Sequence, residues 1–467
     1  MRNSNREHAI VIGAGMSGLC AARALSSLYG HVTLIERDQL PTGAEHRPGV
    51  PQSHHVHGLL LRGLLELERL FPGIERELTA AGATRLDVGL EVAHCTEWGW
   101  AHRVEQLGVA PLTMSRVLIE SVVRARVRRD LPNLTLMEST RVTGLMSERR
   151  ADRVHVTGVL LDGGEARALT ADLVVDASGR NSKCLDWFER IQIAPPPEEV
   201  IDPYGGYASR IYELAPNDNR WWRAMLVDPK PPTFGRFGLL MPLEHGRHVL
   251  TLIGLGRDYP PSDEAGFQAY LASLLTPALA REMAHARPVS EIRTHRSLAN
   301  RARHYERWQS KVGGFIALGD SAVAFNASHG QGMTMAAIAV NALSDLIVSS
   351  PHLDPYALSR RFHAAQWRKL EFAWNLASSV DMRWPETTGK RLRGAAWRTA
   401  LTVAIVRAAH DDPTIKRAVG PVYQLIKNPY ALALRPNFFA RVMFAEIRRR
   451  LGQTLALPAP TELNSHG

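Results

Sequence analysis

The chain has 467 residues, 45% hydrophobic and 22% charged, with a formal net charge of +10 at pH 7. That length admits two or three domains with substantial cores, and the composition excludes a disordered or fibrous chain. The 3 cysteines, Cys20, Cys95 and Cys184, are too widely spaced for a disulfide framework or a metal knuckle, so a reducing cytoplasm is the natural setting.

The N-terminal Met1–Arg6 lacks the apolar core of a signal peptide. No uninterrupted apolar run approaches the roughly 20 residues of a membrane span, so no transmembrane segment is expected. No basic patch interleaved with aromatics stands out, which argues against a nucleic-acid partner. Positive charge is densest at Lys390-Arg391-Leu392-Arg393 and Arg448-Arg449-Arg450. A solvated helix face is the plainer reading of these clusters; a peripheral contact with an anionic membrane or a carrier protein is the alternative.

In chain order, Ala9-Ile10-Val11-Ile12 reads as a short buried parallel strand and Leu19–Leu25 as a helix. Between them lies Gly13-Ala14-Gly15-Met16-Ser17-Gly18, the G-x-G-x-x-G turn of a βαβ unit. Gly13 permits the tight turn, Gly15 lets backbone approach a pyrophosphate, and Gly18 lets helix pack on strand, leaving the phosphates at a positive helix end. A second strand, Val32–Ile35, ends in Glu36 at the spacing expected of a ribose-binding carboxylate, with Arg37 beside it among the cofactor-binding candidates. These residues name a dinucleotide, either FAD or a nicotinamide.

A Pro- and Gly-rich loop, 41–52, precedes a leucine-rich helix that Phe71-Pro72-Gly73 stops. Residues 84–112 read as strands and turns, 115–129 as a basic helix. Strands are predicted at 134–137, 154–159 and 173–176, with Asp162-Gly163-Gly164 as a hairpin turn. Ala194-Pro195-Pro196-Pro197 marks a boundary. Strands follow at 207–212 and 248–253, then one helix near 263–284. Phe315–Leu318 is another buried strand, and 333–450 reads as almost entirely helical.

That last buried strand runs into Gly319-Asp320, followed by Gly330-Gln331-Gly332-Met333 and a helix of small residues. An aspartate at a strand end can bind a polyol chain, and the glycines let a flat ring lie against a helix N-terminus, which stabilises negative charge on the ring. A nicotinamide enzyme has no use for this second, distant site. FAD has: ADP at the first motif, ribityl and ring at the second.

With Asp172–Arg180 between them, the three motifs resemble the para-hydroxybenzoate hydroxylase-like flavoproteins over residues 7 to about 345. Arg47–His57, Phe71-Pro72-Gly73, Phe325-Asn326 and Asp381-Met382-Arg383-Trp384-Pro385 are similar to stretches of the bacterial polyether (monensin and lasalocid) epoxidases, although Ala327 stands where that family has proline. The resemblance implies an α/β fold: a Rossmann-type, glutathione reductase-like FAD-binding domain (1–83, 113–194 and 298–350), an interleaved β-sheet substrate domain (84–112 and 195–297) and a helical C-terminal region (351–467). It implies a monooxygenase acting through a flavin C4a-hydroperoxide, most simply an epoxidase of alkenes in a hydrophobic polyketide or terpenoid intermediate, free or carrier-bound. O2 is the co-substrate, and NAD(P)H or a partner flavin reductase the electron source. Aromatic hydroxylation, or double-bond reduction or dehydrogenation on the same fold, are the alternatives. The resemblance also places Arg47 near the flavin ring and Arg116 near the pyrophosphate or ribityl chain.

Such chemistry needs a dry pocket more than side-chain catalysts, and no triad or metal site is apparent. Arg47 and His329 are the catalytic candidates, His329 as a donor to the ring region or as a surface residue. His54, His55 and His57 lack companion carboxylates, so cofactor-adjacent or structural roles are expected over a metal. Trp98, Trp100, Trp221, Trp222, Phe234 and Phe237 are candidate pocket walls, with core packing the better expectation for any one of them. The W-x-W-x-I-P stretch of flavin halogenases is absent, since Ala101-His102 follows Trp98-Gly99-Trp100.

Overall fold

The computed structural model describes residues 6–163, 167–217, 220–391, 394–428, 432 and 435–451. Five strands form a parallel sheet in the order Phe315–Ala317, Leu173–Asp176, His8–Ile12, His31–Ile35, Leu134–Met137, with Val11 opposite both Val175 and Leu34. Side chains alternate across a strand, and here both faces are buried. Ala9, Val11, Val32, Leu34 and Val175 pack with helices Met16–Ser26, Leu61–Leu70, Arg116–Asp130 and Gly332–Ser349. Ile10, Ile12, Ile35, Val174 and Phe315 pack on the other side with Trp187, Phe188, Leu370 and Trp374. Two-sided burial is why these strands read as continuous apolar runs.

Gly332–Ser349 is apolar and long enough to cross a membrane by composition alone, but Ala337, Val340, Leu343 and Ile347 are spent in the first core. A four-stranded sheet is built from Val142–Arg150, Arg153–Leu161, Ala168–Thr170 and Lys311–Gly313; its first three strands are inserted before the parallel sheet resumes at Leu173, and the fourth immediately precedes Phe315–Ala317. Its predicted turn holds Asp162 and Gly163, while Gly164 lies outside the described residues.

The third layer is an eight-stranded, mostly antiparallel sheet. Its centre is Gly206–Glu213, Arg247–Gly254, Phe237–Pro242 and Ala224–Val227; Val92–Thr96 and Gly99–Trp100 extend one edge. The helix expected over 263–284 is two helices, Glu264–Ala272 and Ala278–Met283. Pro277 caps the second helix, and a proline there would clash with a continuing turn. The C-terminal region is helical, with the long helix Pro355–Asp381 ending before Trp384-Pro385. Helices Ala395–Asp411, Pro413–Tyr423 and Pro436–Arg450 then share a small core of their own around Ala408, Ile415, Phe438 and Val442.

Candidate active site

The first strand delivers Gly13 with φ +95°, where a Cβ would sit 2.8 Å from the Ala177 carbonyl oxygen. Gly18 is a packing glycine, since its Cβ would lie 1.7 Å from the Gly13 carbonyl oxygen. Gly15 differs: a Cβ there would meet nothing within 4 Å, because its backbone faces an open cavity of about 550 Å³. The helix that starts at Met16 has no side-chain cap and no acid in its first turn, so its amide dipoles point unneutralised at that space. Glu36, 5% exposed, accepts the Ala14 amide at 2.7 Å and holds one wall of the cavity, with Arg37 next to it.

Arg47 sits against the first glycine motif and also lines the cavity. Its Nη2 donates to the Ala14 carbonyl (3.2 Å), Nη1 to Asp38 (2.9 Å) and Nε to Glu120 (2.9 Å), with Glu36 Oε2 3.3 Å away. It therefore braces the glycine turn and the Glu36 carboxylate, at the pole of the cavity that the first glycine motif forms. Glu120 in turn holds Arg116 at 2.6 Å, and Arg116 lines the cavity. Burial alone would push the Glu120 carboxyl up; the guanidiniums of Arg116, Arg47 and Arg124 outweigh it and hold the group below the usual range.

At the other end of the cavity, Gly319 has φ +64° and a Cβ there would fall 2.2 Å from Ser17 Oγ, so it locks the two motifs together without lining the cavity. Asp320 does line it; burial pushes its carboxyl up, against the pull of Arg180, Arg301 and Arg116. Gly330, at φ +65°, turns the chain into the helix Gly332–Ser349, which again has no capping side chain and no acid in its first turn. Gly330, Gln331, Gly332 and Met333 all face the cavity. Gln331 Oε1 is a buried acceptor there without a partner, and a Cβ on Gly332 would find no atom nearer than Asp320 Oδ1 at 3.9 Å. An extended dinucleotide fits this chain: an open glycine cradle and uncapped helix end at each pole, a carboxylate at one and an orphan acceptor at the other.

His329 is not part of that wall. Its Nε2 lies 3.2 Å from Asp381 Oδ1, at the end of the long helix. Asp381, 1% exposed, also accepts from Asn300 Nδ2 (2.6 Å) and Asn326 Nδ2 (3.0 Å), while the Asn326 amide donates to Asn300 Oδ1 (2.7 Å). The motif residue Asp381 thus ties down the loop that leads to Gly330. Sequence reasoning singled out both ends of this network without joining them, because the partners lie 52 to 81 residues apart.

Histidines furnish the roof. The His57 Nδ1 is 3.0 Å from the His55 carbonyl oxygen, which can only accept, so Nδ1 carries the proton and Nε2 is left an acceptor in the cavity wall. His55 Nδ1 pairs with Ser209 Oγ at 2.8 Å, and that hydroxyl with Thr251 Oγ1 at 2.7 Å; the ring stands edge-on to Tyr207. Burial, with His295 and His57 nearby, takes His55 down to about 3, and burial followed by Arg116 takes His57 to about 4. His54 stacks on His46 instead, at 3.7 Å between centroids. Among the described residues, no group of three or more His, Cys, Asp or Glu side chains is placed to hold a metal ion.

These neutral imidazoles set a pH limit. His55, His363 (pushed down to about 3) and His410 (about 4) are all under 9% exposed, and His363 Nε2 accepts the Ala317 amide, which requires it unprotonated. Their folded values lie below the unfolded value of about 6.5, so the stability they confer is full above that pH and is lost as pH falls through it. Each costs about 1.4 kcal/mol per pH unit. Thermal melts should hold from pH 8 to 7 and drop steeply between pH 6 and 5; a flat profile to pH 5 would contradict this.

None of the six aromatic candidates lines the cavity, and several pack in or against a core, the better expectation for each. Trp222 is in the core of the large sheet with Trp100 and Trp221 against it, Phe237 packs beside Tyr207 and Trp384, and Trp98 sits near His410. Phe234 is also absent from the cavity wall, whose aromatics are Trp187, Tyr207 and Phe325. Arg180, another wall residue that sequence reasoning passed over, clamps the Ala299 and Phe325 carbonyls at 2.7 and 2.8 Å. Its only signal was its place after Ser178-Gly179.

Residues 11–64 match the family described as an NAD(P)-binding Rossmann-like domain. The chain superposes on a flavoprotein/dehydrogenase from Cytophaga hutchinsonii (TM-score 0.66, 14% identity, 95% of this chain and 100% of that one). It also superposes on the flavin-dependent brominase Bmp2 (0.63, 14%, 94% and 100%) and on PqsL, a probable FAD-dependent monooxygenase from Pseudomonas aeruginosa (0.57, 17%, 81% and 98%). Those likenesses establish the fold. A curated relative, protein Rv3254 of Mycobacterium tuberculosis, is 31% identical over 425 residues, 88% of each chain, and on that match the present chain belongs to the same family as Rv3254.

Proposed function

We propose that this protein is an FAD-dependent monooxygenase that inserts oxygen into a hydrophobic natural-product intermediate, with alkene epoxidation the preferred reaction. The observation that carries it is the cavity spanned by two uncapped helix N-termini, one with Glu36 and one with Gln331 and Asp320. Glu36 would take the ribose hydroxyls, the Gly13–Gly15 turn and Arg116 the pyrophosphate, Asp320 the ribityl chain, and the Gly330–Met333 backbone the ring. When bound and reduced, the flavin supplies the electrons that activate O2.

The chain's own share is positioning and exclusion of water. Val56, Tyr207 and Phe325 give the cavity an apolar wall. The nearby histidines are held neutral, so they add hydrogen-bonding without charge. His57 Nε2 can accept a hydrogen bond and so hold a proton-bearing group at that atom. Electrons would come from NAD(P)H directly or from a partner reductase.

Purified protein should be yellow with FAD. With NADPH, or a flavin reductase, and a panel of polyenes under 18O2, it should give a product heavier by one labelled oxygen. An unlabelled product, or one differing by two hydrogens, would overturn the reading. A flavin-dependent double-bond reductase or dehydrogenase is the second reading, favoured by the likeness to the Cytophaga flavoprotein/dehydrogenase; labelled oxygen on an aromatic ring would instead mark a hydroxylase.

A further inference from the structure

We propose that the helices Ala395–Asp411, Pro413–Tyr423 and Pro436–Arg450 form a docking face for an anionic lipid bilayer. Residues 390–450 contain 13 Lys or Arg against 3 Asp or Glu, a net +10 that equals the charge of the entire chain, so all the protein's excess charge is in this module. All three acids are consumed internally: Glu446 by Arg407, Asp412 by Arg441 at 2.6 Å, and Asp411 by Arg449 at 2.8 Å.

The helix Pro436–Arg450 has two apolar faces. Phe438, Val442 and Ala445 are buried against the module's core. On the opposite side Met443, Phe444, Ile447 and Leu451 stand 61%, 60%, 50% and 66% exposed. At 3.6 residues per turn, these four make one stripe, with Arg448 on one flank and Arg450 on the other. Exposed large apolar side chains in a single convex stripe signal a binding surface. Arginines along its edges match an anionic interface, where the stripe inserts among the acyl chains and the cations meet headgroups.

This assignment is independent of the reaction proposed above, and it is tested with the full-length protein. In co-sedimentation with phosphatidylcholine vesicles containing about a third phosphatidylglycerol, the protein should pellet at low salt, and roughly tenfold less with phosphatidylcholine alone or at about 0.5 M NaCl. Phe444→Asp with Ile447→Asp should lower binding by at least about tenfold while leaving the melting temperature unchanged, because both side chains are exposed. No binding to anionic vesicles, equal binding to neutral ones, or full binding by the double variant would each overturn the proposal. So would a stable dimer that the double variant dissociates without any vesicle binding, since the stripe would then be covered by a second copy.

Discussion

Arg47→Met is expected to cost about 3–5 kcal/mol of stability and to abolish retention of the dinucleotide during purification. Arg47 is 7% exposed, and its guanidinium compensates Glu36 and Asp38 just after the strand His31–Ile35 and Glu120 on the helix Arg116–Asp130. A buried charge network gains little over an apolar one when intact, but removing one member strands the others in a low-dielectric site. Methionine keeps the volume and leaves the three carboxylates facing each other with only Arg116 and Arg124 to balance Glu120. The Ala14 carbonyl loses its donor as well, so the glycine turn loosens where the pyrophosphate would lie. Arg47→Lys should recover part of the stability and little of the binding, because one ammonium cannot reproduce three directed contacts. Differential scanning fluorimetry and flavin absorbance after gel filtration check both halves. A Met variant that stays yellow and melts within a degree of the parent would refute the brace.

The two glycine motifs were legible in the sequence because backbone constraints are local. Gly13 must adopt a positive φ, and Gly18 admits no Cβ against Gly13, and both needs are written in six consecutive residues. The parallel strands were equally plain, since burial on two faces demands continuous apolar runs. What the sequence could not convey was which buried polar groups meet. Arg47 and Glu120 are 73 residues apart, and His55 meets Ser209 across 154. The aromatics of the substrate sheet stay ambiguous in the sequence for a related reason. Tryptophans announce burial, but large aromatics are equally suited to a sheet core and to a cavity wall. Trp222 took the first role, and the smaller, half-polar Tyr207, His57 and His295 took the second. Pro277 was read past because a single break inside an apolar stretch competes with a strong helical pattern.

Asp381→Ala is expected to weaken FAD binding by about 10- to 100-fold, about 1.4–2.8 kcal/mol, although Asp381 does not line the cavity. The carboxylate is the hub through which the long helix grips Asn300, Asn326 and His329. Asn300 and Asn326 are each 0% exposed, so deleting their acceptor leaves two buried amide donors unsatisfied, at about 1–3 kcal/mol apiece. The cheapest relaxation is for the Phe325–Gln331 loop to move toward water, and that loop sets the backbone of Gly330 and the helix start at Gly332. Asp381→Asn should rescue incompletely: its oxygen can accept, but its NH2 would confront donors already pointing at that position. Titrating apoprotein with FAD and following flavin fluorescence measures the loss, and the visible spectrum of the bound ring reports whether its environment has changed. If affinity and spectrum stay at parent values while only the melting temperature falls, Asp381 is a fold brace without influence on the ring. If both shift in the alanine variant and partly return with asparagine, the helical C-terminal region governs the ring end of the site from outside the cavity.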